Sequence, residues 1–170
     1  MSRKARVFWP LGLLLLLTDC ATKNLAEEHL LVHVPRRVFG ETLQFTLAYN
    51  EGAAMGLSLG DASRVGFALI SLAVLAYLLH LYRGLSRGDA SMAAALALLC
   101  GGAAGNLMDR LRSARGVIDF IDVGVGAWRF YTFNVADIGV SLGATALAVL
   151  MWRRDTAERQ KTGQPLTADG

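Results

Sequence analysis

The chain has 170 residues, of which 54% are hydrophobic and only 18% charged, and its formal net charge is +3. The length fits a single domain, and a charged share below the roughly 25% of soluble domains indicates a membrane protein. So small a net charge argues against a nucleic-acid binder, and the two cysteines and three histidines predict neither a disulfide framework nor a metal site.

Four stretches approach the length of about 20 apolar residues that a membrane helix needs. They are residues 7–25, 65–82, 91–108 and 138–152. The third is rich in alanine and glycine, which favours close helix packing in lipid. We therefore predict an integral membrane protein, mainly α-helical, with one domain of four transmembrane helices over residues 1–154. The polar segment 155–170 is predicted to be a disordered cytoplasmic tail.

The first stretch ends in TDCATK and admits two interpretations. An apolar run that ends at Cys20 is typical of a cleaved lipoprotein signal. Asp19 opposes that interpretation, because such cleavage sites carry a small neutral residue before the cysteine. Asp19 and Lys23 lie on one helix face and can pair, either as an ion pair at the helix end or as the support of a site. We predict a permanent helix.

The two long loops between spans each predict a β-hairpin. Residues 42–49 alternate between apolar and polar, the period of a half-buried strand. Gly40 and Glu41 offer a turn back to residues 32–38. In the second loop, residues 117–123 and 128–133 flank a GVGA turn. We predict that these outer loops form one small β-sheet over the helix ends.

The distribution of basic residues predicts the orientation. Four spans place both termini on one side of the membrane, and the short segments on that side are dense in arginine and lysine. Because cytoplasmic segments carry an excess of these residues, both termini are expected in the cytoplasm and the two loops outside.

Polar residues recur at the outer span ends. In YNEGAAMG, Asn50 and Gly52 predict either a tight turn or a backbone that passes close to another chain. Near the end of the third span, Asn106, Asp109 and Arg110 form either an interfacial cap or a clamp for peptide carbonyls and carboxylates.

Two aspartates stand in apolar surroundings on the same side. Asp119 lies on the apolar strand VIDFID, and Asp137 begins the fourth span. Taken singly, Asp137 is a helix N-cap and Asp122 an exposed loop carboxylate. Together, Asp119 and Asp137 suit a pair that shares one proton and activates water. A transport or assembly subunit is the alternative, since ionisable groups in spans also mark ion paths.

The ordered motifs D-x-x-x-K, N-x-G-A-A, G-G-A-x-G-N-x-x-D-R, V-x-D-F-I and F-N-x-A-D resemble those of the lipoprotein signal peptidases, or signal peptidase II. The likeness runs from Thr18 to Asp137 and is specific in combination. One departure is Met55, where the family often has phenylalanine.

The resemblance implies an aspartyl endopeptidase of the bacterial inner membrane that needs no cofactor. It would cleave diacylglyceryl-modified prolipoproteins before the lipidated cysteine, near the periplasmic face, and globomycin-type cyclic peptides would inhibit it. Asp119 and Asp137 would be catalytic. The residues that would bind substrate or support the site are Asp19, Lys23, Asn50, Gly52, Asn106, Asp109, Arg110 and Asn134. We expect a monomer in contact with membrane lipid.

Overall fold

A computed structural model describes residues 1–50 and 61–162 of the chain. The helices are α1 (Arg3–His29), α2 (Asp61–Gly84), α3 (Ala90–Arg112) and α4 (Val135–Thr162), and the strands are β1 (Arg36–Phe39), β2 (Leu43–Asn50), β3 (Val117–Val125) and β4 (Trp128–Arg129). Within these residues, four helices are long and apolar enough to cross a membrane. The predicted fold class, four spans with a small sheet from the two loops, is confirmed.

The helices extend beyond the predicted spans. α1 runs from Arg3 to His29, and α4 continues to Thr162. The prediction of disorder from residue 155 is therefore wrong for residues 155–162. Hydropathy falls where charged residues begin, but arginine, glutamate and lysine are good helix formers. A bridge of 2.8 Å between Asp155 and Arg159, one turn apart, adds support.

Helix α3 is the centre of the bundle. It packs against α1, α2 and α4. The start of α1 also reaches α2, where the rings of Phe8 and Tyr82 stack with their centroids 3.9 Å apart. The α1–α3 contact is close because both helices carry glycine there: a Cβ added at Gly101 would lie 2.7 Å from the carbonyl oxygen of Gly12. Such small residues let helix backbones approach in lipid.

The strands form one antiparallel sheet in the order β1-β2-β3-β4, so the two loops share it as predicted. We call the membrane side that carries this sheet the outer side. The sheet packs over the helix ends through a buried cluster of Ala26, Leu47, Ile118 and Phe120. β1 is shorter than the predicted residues 32–38, because Pro35 has no N–H to donate to a strand ladder.

Candidate active site

The N-terminus of α4 is organised by a reciprocal cap. Asn134, fully buried, accepts the Asp137 N–H on its side-chain oxygen at 2.9 Å, and the Asp137 carboxylate accepts the Asn134 N–H at 3.1 Å. This is the arrangement of a capping box, with an acidic residue three positions after the cap. The interpretation of Asp137 as the N-cap is thus wrong: Asn134 is the cap. The remaining Asp137 oxygen is left for other partners.

Asp119 lies on β3 with 4% of its surface exposed. One carboxylate oxygen accepts the Asn134 side-chain amide at 2.7 Å, and the other accepts the amide of Asn50, the last residue of β2, at 3.2 Å. Burial, and then the negative charge of Asp137, raises the pKa of Asp119 to about 7. Asn134 therefore contacts both aspartates, which interact electrostatically.

Asn106 on α3 completes the link between the two carboxylates. Its amide nitrogen donates to Asp137 at 2.8 Å. Its oxygen accepts the Asn134 amide at 3.1 Å and the Lys23 ammonium at 2.9 Å. Both asparagine side chains thus use their donor and acceptor ends at once, which fixes their orientation. Neutral amides hold the pair, and within residues 1–50 and 61–162 neither aspartate forms a salt bridge.

Lys23 connects the pair to the rest of the bundle. Its ammonium lies 2.7 Å from Asp19 and 2.8 Å from Asp109, and its side chain is 1% exposed. The predicted Asp19–Lys23 pair is confirmed, and it is buried in the bundle rather than exposed at the helix end. Asp19 also accepts the Ala136 N–H at 2.8 Å, in the first turn of α4. A carboxylate is favourable there because the helix N-terminus carries a partial positive charge.

The predicted clamp of Asn106, Asp109 and Arg110 is divided by the fold. Asp109 turns to Lys23 and accepts the Ile118 N–H at 3.2 Å, at the start of β3. An ammonium group has three N–H donors, and Asp109 supplies the third acceptor for Lys23 beside Asp19 and Asn106. Arg110 donates to the Asn106 carbonyl at 3.2 Å and interacts electrostatically with Asp137, Asp109 and Asp119. Gly52 lies outside the described residues.

Asp122 is separate from the pair. It is a buried strand residue rather than an exposed loop carboxylate, bonded to Arg129 at 2.7 Å and to Thr46 at 3.1 Å. Three positions along a strand reverse the side-chain direction, so Asp122 and Asp119 bind different neighbours. Reasoning from the residues alone missed Asn134, although the spacing in NVAD is the signal of a reciprocal cap.

Comparison with known proteins gives the family. Residues 11–153 match the family model described as Signal peptidase (SPase) II. The chain belongs to the signal peptidase II family. It is 38% identical over 157 residues to a lipoprotein signal peptidase of Coxiella burnetii (strain Dugway 5J108-111), covering 89% of this chain and 94% of that one. It is 40% identical over 169 residues to a lipoprotein signal peptidase of Pseudomonas fluorescens (strain Pf0-1), covering 96% and 95%.

Solved structures agree with that membership. One bacterial membrane enzyme superposes with a TM-score of 0.75 at 26% identity, covering 83% of this chain and 89% of that one. A second superposes with a TM-score of 0.76 at 23% identity, covering 94% and 92%, a likeness of fold alone. The predicted family and its class of enzyme, an aspartic peptidase in a membrane, are confirmed.

Proposed function

We propose that Asp119 and Asp137 are the catalytic residues with which this signal peptidase II family member removes signal peptides from lipoprotein precursors. The observation that carries the proposal is that the Asn134 side-chain amide donates to the Asp119 carboxylate and the Asn134 backbone N–H to the Asp137 carboxylate, while the Asn106 side chain donates to Asp137 as well. Two carboxyl groups held close in a buried site share one proton rather than ionise together.

The raised pKa of Asp119 supports a division of labour. Near neutral pH one member of the pair is ionised and accepts a proton from water as its oxygen attacks the scissile carbonyl. The protonated member stabilises the new oxyanion and donates its proton to the leaving amide nitrogen as the C–N bond breaks. The proton gained from water restores the pair. The titration belongs to the two groups together, so the shared proton is assigned to neither.

Residues around the pair are suited to hold an extended peptide. The Arg110 guanidinium, beside both aspartates, can donate to peptide carbonyls in a fixed fork. In the proposal Asn50, Asn106 and Asn134 bind the peptide beside the aspartate pair, and the family motif assigns Gly52 to substrate binding as well. Asp19, Lys23 and Asp109 support these residues through the buried network on α1 and α3. The precursor's diacylglyceryl chains stay in lipid, and cleavage falls just before the lipidated cysteine.

The direct test uses the purified chain in detergent with a diacylglyceryl-modified precursor. We expect two products, separated just before the lipidated cysteine, by mass spectrometry, and no products when a globomycin-type inhibitor is added. The same precursor without its diacylglyceryl group is the control and should remain intact. Equal cleavage of both precursors would contradict the proposed substrate class.

We also propose that the protein lies in the inner membrane with both termini in the cytoplasm and the sheet on the periplasmic side. The density of basic residues in residues 1–6 and 83–87 supports this orientation. An impermeant thiol reagent is applied to intact spheroplasts. The variant Val125→Cys, in the β3–β4 turn, should be labelled more strongly than the parent protein, whereas Ser86→Cys should be labelled no more than the parent protein. The reverse pattern would place the site on the cytoplasmic side.

A further inference from the structure

An apolar groove runs along the outer part of α1, on the side away from the catalytic pair. It has a volume of about 320 Å³ and is walled by Thr22, Ala26 and His29 on one face of α1, by Arg36 of β1, and by Phe45 and Phe120 of the sheet. We call it the α1 groove. Its size is at the lower end of the range for small-molecule pockets.

The α1 groove has an apolar floor and a basic rim. Phe45 and Phe120 meet edge to face with ring centroids 6.1 Å apart. At the rim, Arg36 has no ion-pair partner within residues 1–50 and 61–162, whereas its neighbour Arg37 binds Glu41 at 2.9 Å. A guanidinium beside an apolar slot complements an amphiphile that carries an anionic head and a hydrocarbon chain.

We propose that the α1 groove binds a phospholipid of the surrounding bilayer, with one acyl chain over Phe45 and Phe120 and the phosphate on Arg36. Lipid has direct access, because α1 is a membrane-spanning helix and Leu25, at the edge of the groove, is 57% exposed.

The position of the groove separates this lipid from the precursor's own acyl chains. Phe120 and Asp119 are neighbours on β3, and consecutive strand residues point to opposite faces. Phe120 contacts the apolar cluster over α1, whereas Asp119 contacts Asn134. The proposed lipid therefore packs on the face of β3 opposite Asp119 and supports that strand.

The test uses photoactivatable phosphatidylglycerol, with the reactive group in one acyl chain, in nanodiscs otherwise made of phosphatidylcholine. Labelled peptides are mapped by mass spectrometry in the full chain and in three variants. Arg36→Gln removes the guanidinium at the rim of the α1 groove, and Thr22→Phe fills the groove with a larger side chain. Arg37→Gln is the matched control, because Arg37 lies on the same strand as Arg36 but does not line the groove.

We expect labelling concentrated on residues 22–30, 36 and 45. Arg36→Gln should lower it about fivefold, the contribution of one arginine near anionic lipid, and Thr22→Phe should abolish it, while Arg37→Gln leaves it unchanged. Labelling spread evenly over all four spans would overturn the proposal, as would equal effects of Arg36→Gln and Arg37→Gln. The binding is read without turnover, so a failure here is distinct from a failure of the catalytic proposal.

Discussion

The two halves of α3 are built on opposite chemistry. From Ala93 to Cys100 the helix buries small and apolar side chains against its three neighbours. Its later part carries the amide of Asn106, the carboxylate of Asp109 and the guanidinium of Arg110. Charged groups in a span cost about 2.5–3.5 kcal/mol each at mid-helix on insertion scales.

This difference separates the part of the bundle that holds the helices together from the part that carries the polar groups of the candidate site. The apolar half holds helices together by close packing alone. The polar half is stable because each group binds another: Lys23 binds Asp19, Asp109 and Asn106, and the last of these binds Asp137. Among the described residues of the four helices, the buried charged side chains are Asp19, Lys23 and Asp109, and all three belong to this network beside the aspartate pair. Substitutions in the two halves should therefore have different signatures.

The largest expected effect is on the pair itself. Asp119→Asn and Asp137→Asn should each lower kcat by about 10²–10⁴, because an asparagine cannot take up or share a proton. The size and most hydrogen bonds are kept, so the protein should still fold. Turnover of a lipidated precursor measures the first point, and the unfolding temperature in detergent the second.

Asp122→Asn is the internal control for that experiment. Its partners are Arg129 and Thr46, away from the pair, so we expect most of the activity to be retained. Full activity in Asp119→Asn combined with loss in Asp122→Asn would mean that the wrong strand residue has been assigned to catalysis.

Lys23→Met should be the most destabilising change in the polar half. It leaves Asp19 and Asp109 buried without their shared cation, and breaking a buried pair costs about 3–5 kcal/mol. Denaturant titration in micelles measures the free energy of unfolding. The matched control is Arg37→Met, whose exposed bridge to Glu41 should contribute only about 0–1 kcal/mol. Equal losses would refute the account of the buried network.

In the apolar half, Gly101→Ala should weaken the α1–α3 contact. Its Cβ would meet the Gly12 carbonyl at 2.7 Å, so the helices must separate, and overpacking costs about 1–3 kcal/mol. A Cβ added at Gly66 on α2 would meet no atom of residues 1–50 and 61–162 within 4 Å, so Gly66→Ala should cost nothing. Thermal unfolding of both variants decides the point; a stable Gly101→Ala would show that the helices are not held this closely.

The smallest effect is on pH dependence. The pKa of Asp119 is raised from 3.8 to about 7 by burial and by Asp137, so the protonated form is lost as the pH rises through 7. We expect kcat/KM to fall about tenfold per pH unit above that value. Because the folded chain holds this proton more tightly than the unfolded chain, stability should also fall as the pH rises from about 4 to 7. Asp119→Asn should remove the fall of stability between pH 4 and 7. If the free energy of unfolding of this variant still fell with pH as in the parent protein, the raised pKa of Asp119 would be contradicted.

Much of this architecture could be predicted from the sequence. Hydropathy located four spans, alternation located the hairpins, and the four-residue spacing located the Asp19–Lys23 pair. The family motifs supplied the site residues. What could not be predicted was long-range: which partner Asp109 takes depends on where α1 places Lys23, and local spacing grouped it with Arg110 instead. The extension of α4 to Thr162 was missed because hydropathy marks the apolar part of a helix and does not show where the helix ends.

The central claim is that Asp119 and Asp137 act as one unit held by Asn134. The most direct test is the kcat of the double variant Asp119→Asn/Asp137→Asn beside the two single variants, all measured on the same lipidated precursor. Groups that act together are strongly non-additive, so the double variant should be at most a few-fold slower than either single one. A double variant whose loss equals the product of the two single losses would mean that the aspartates act independently, and the account would be wrong.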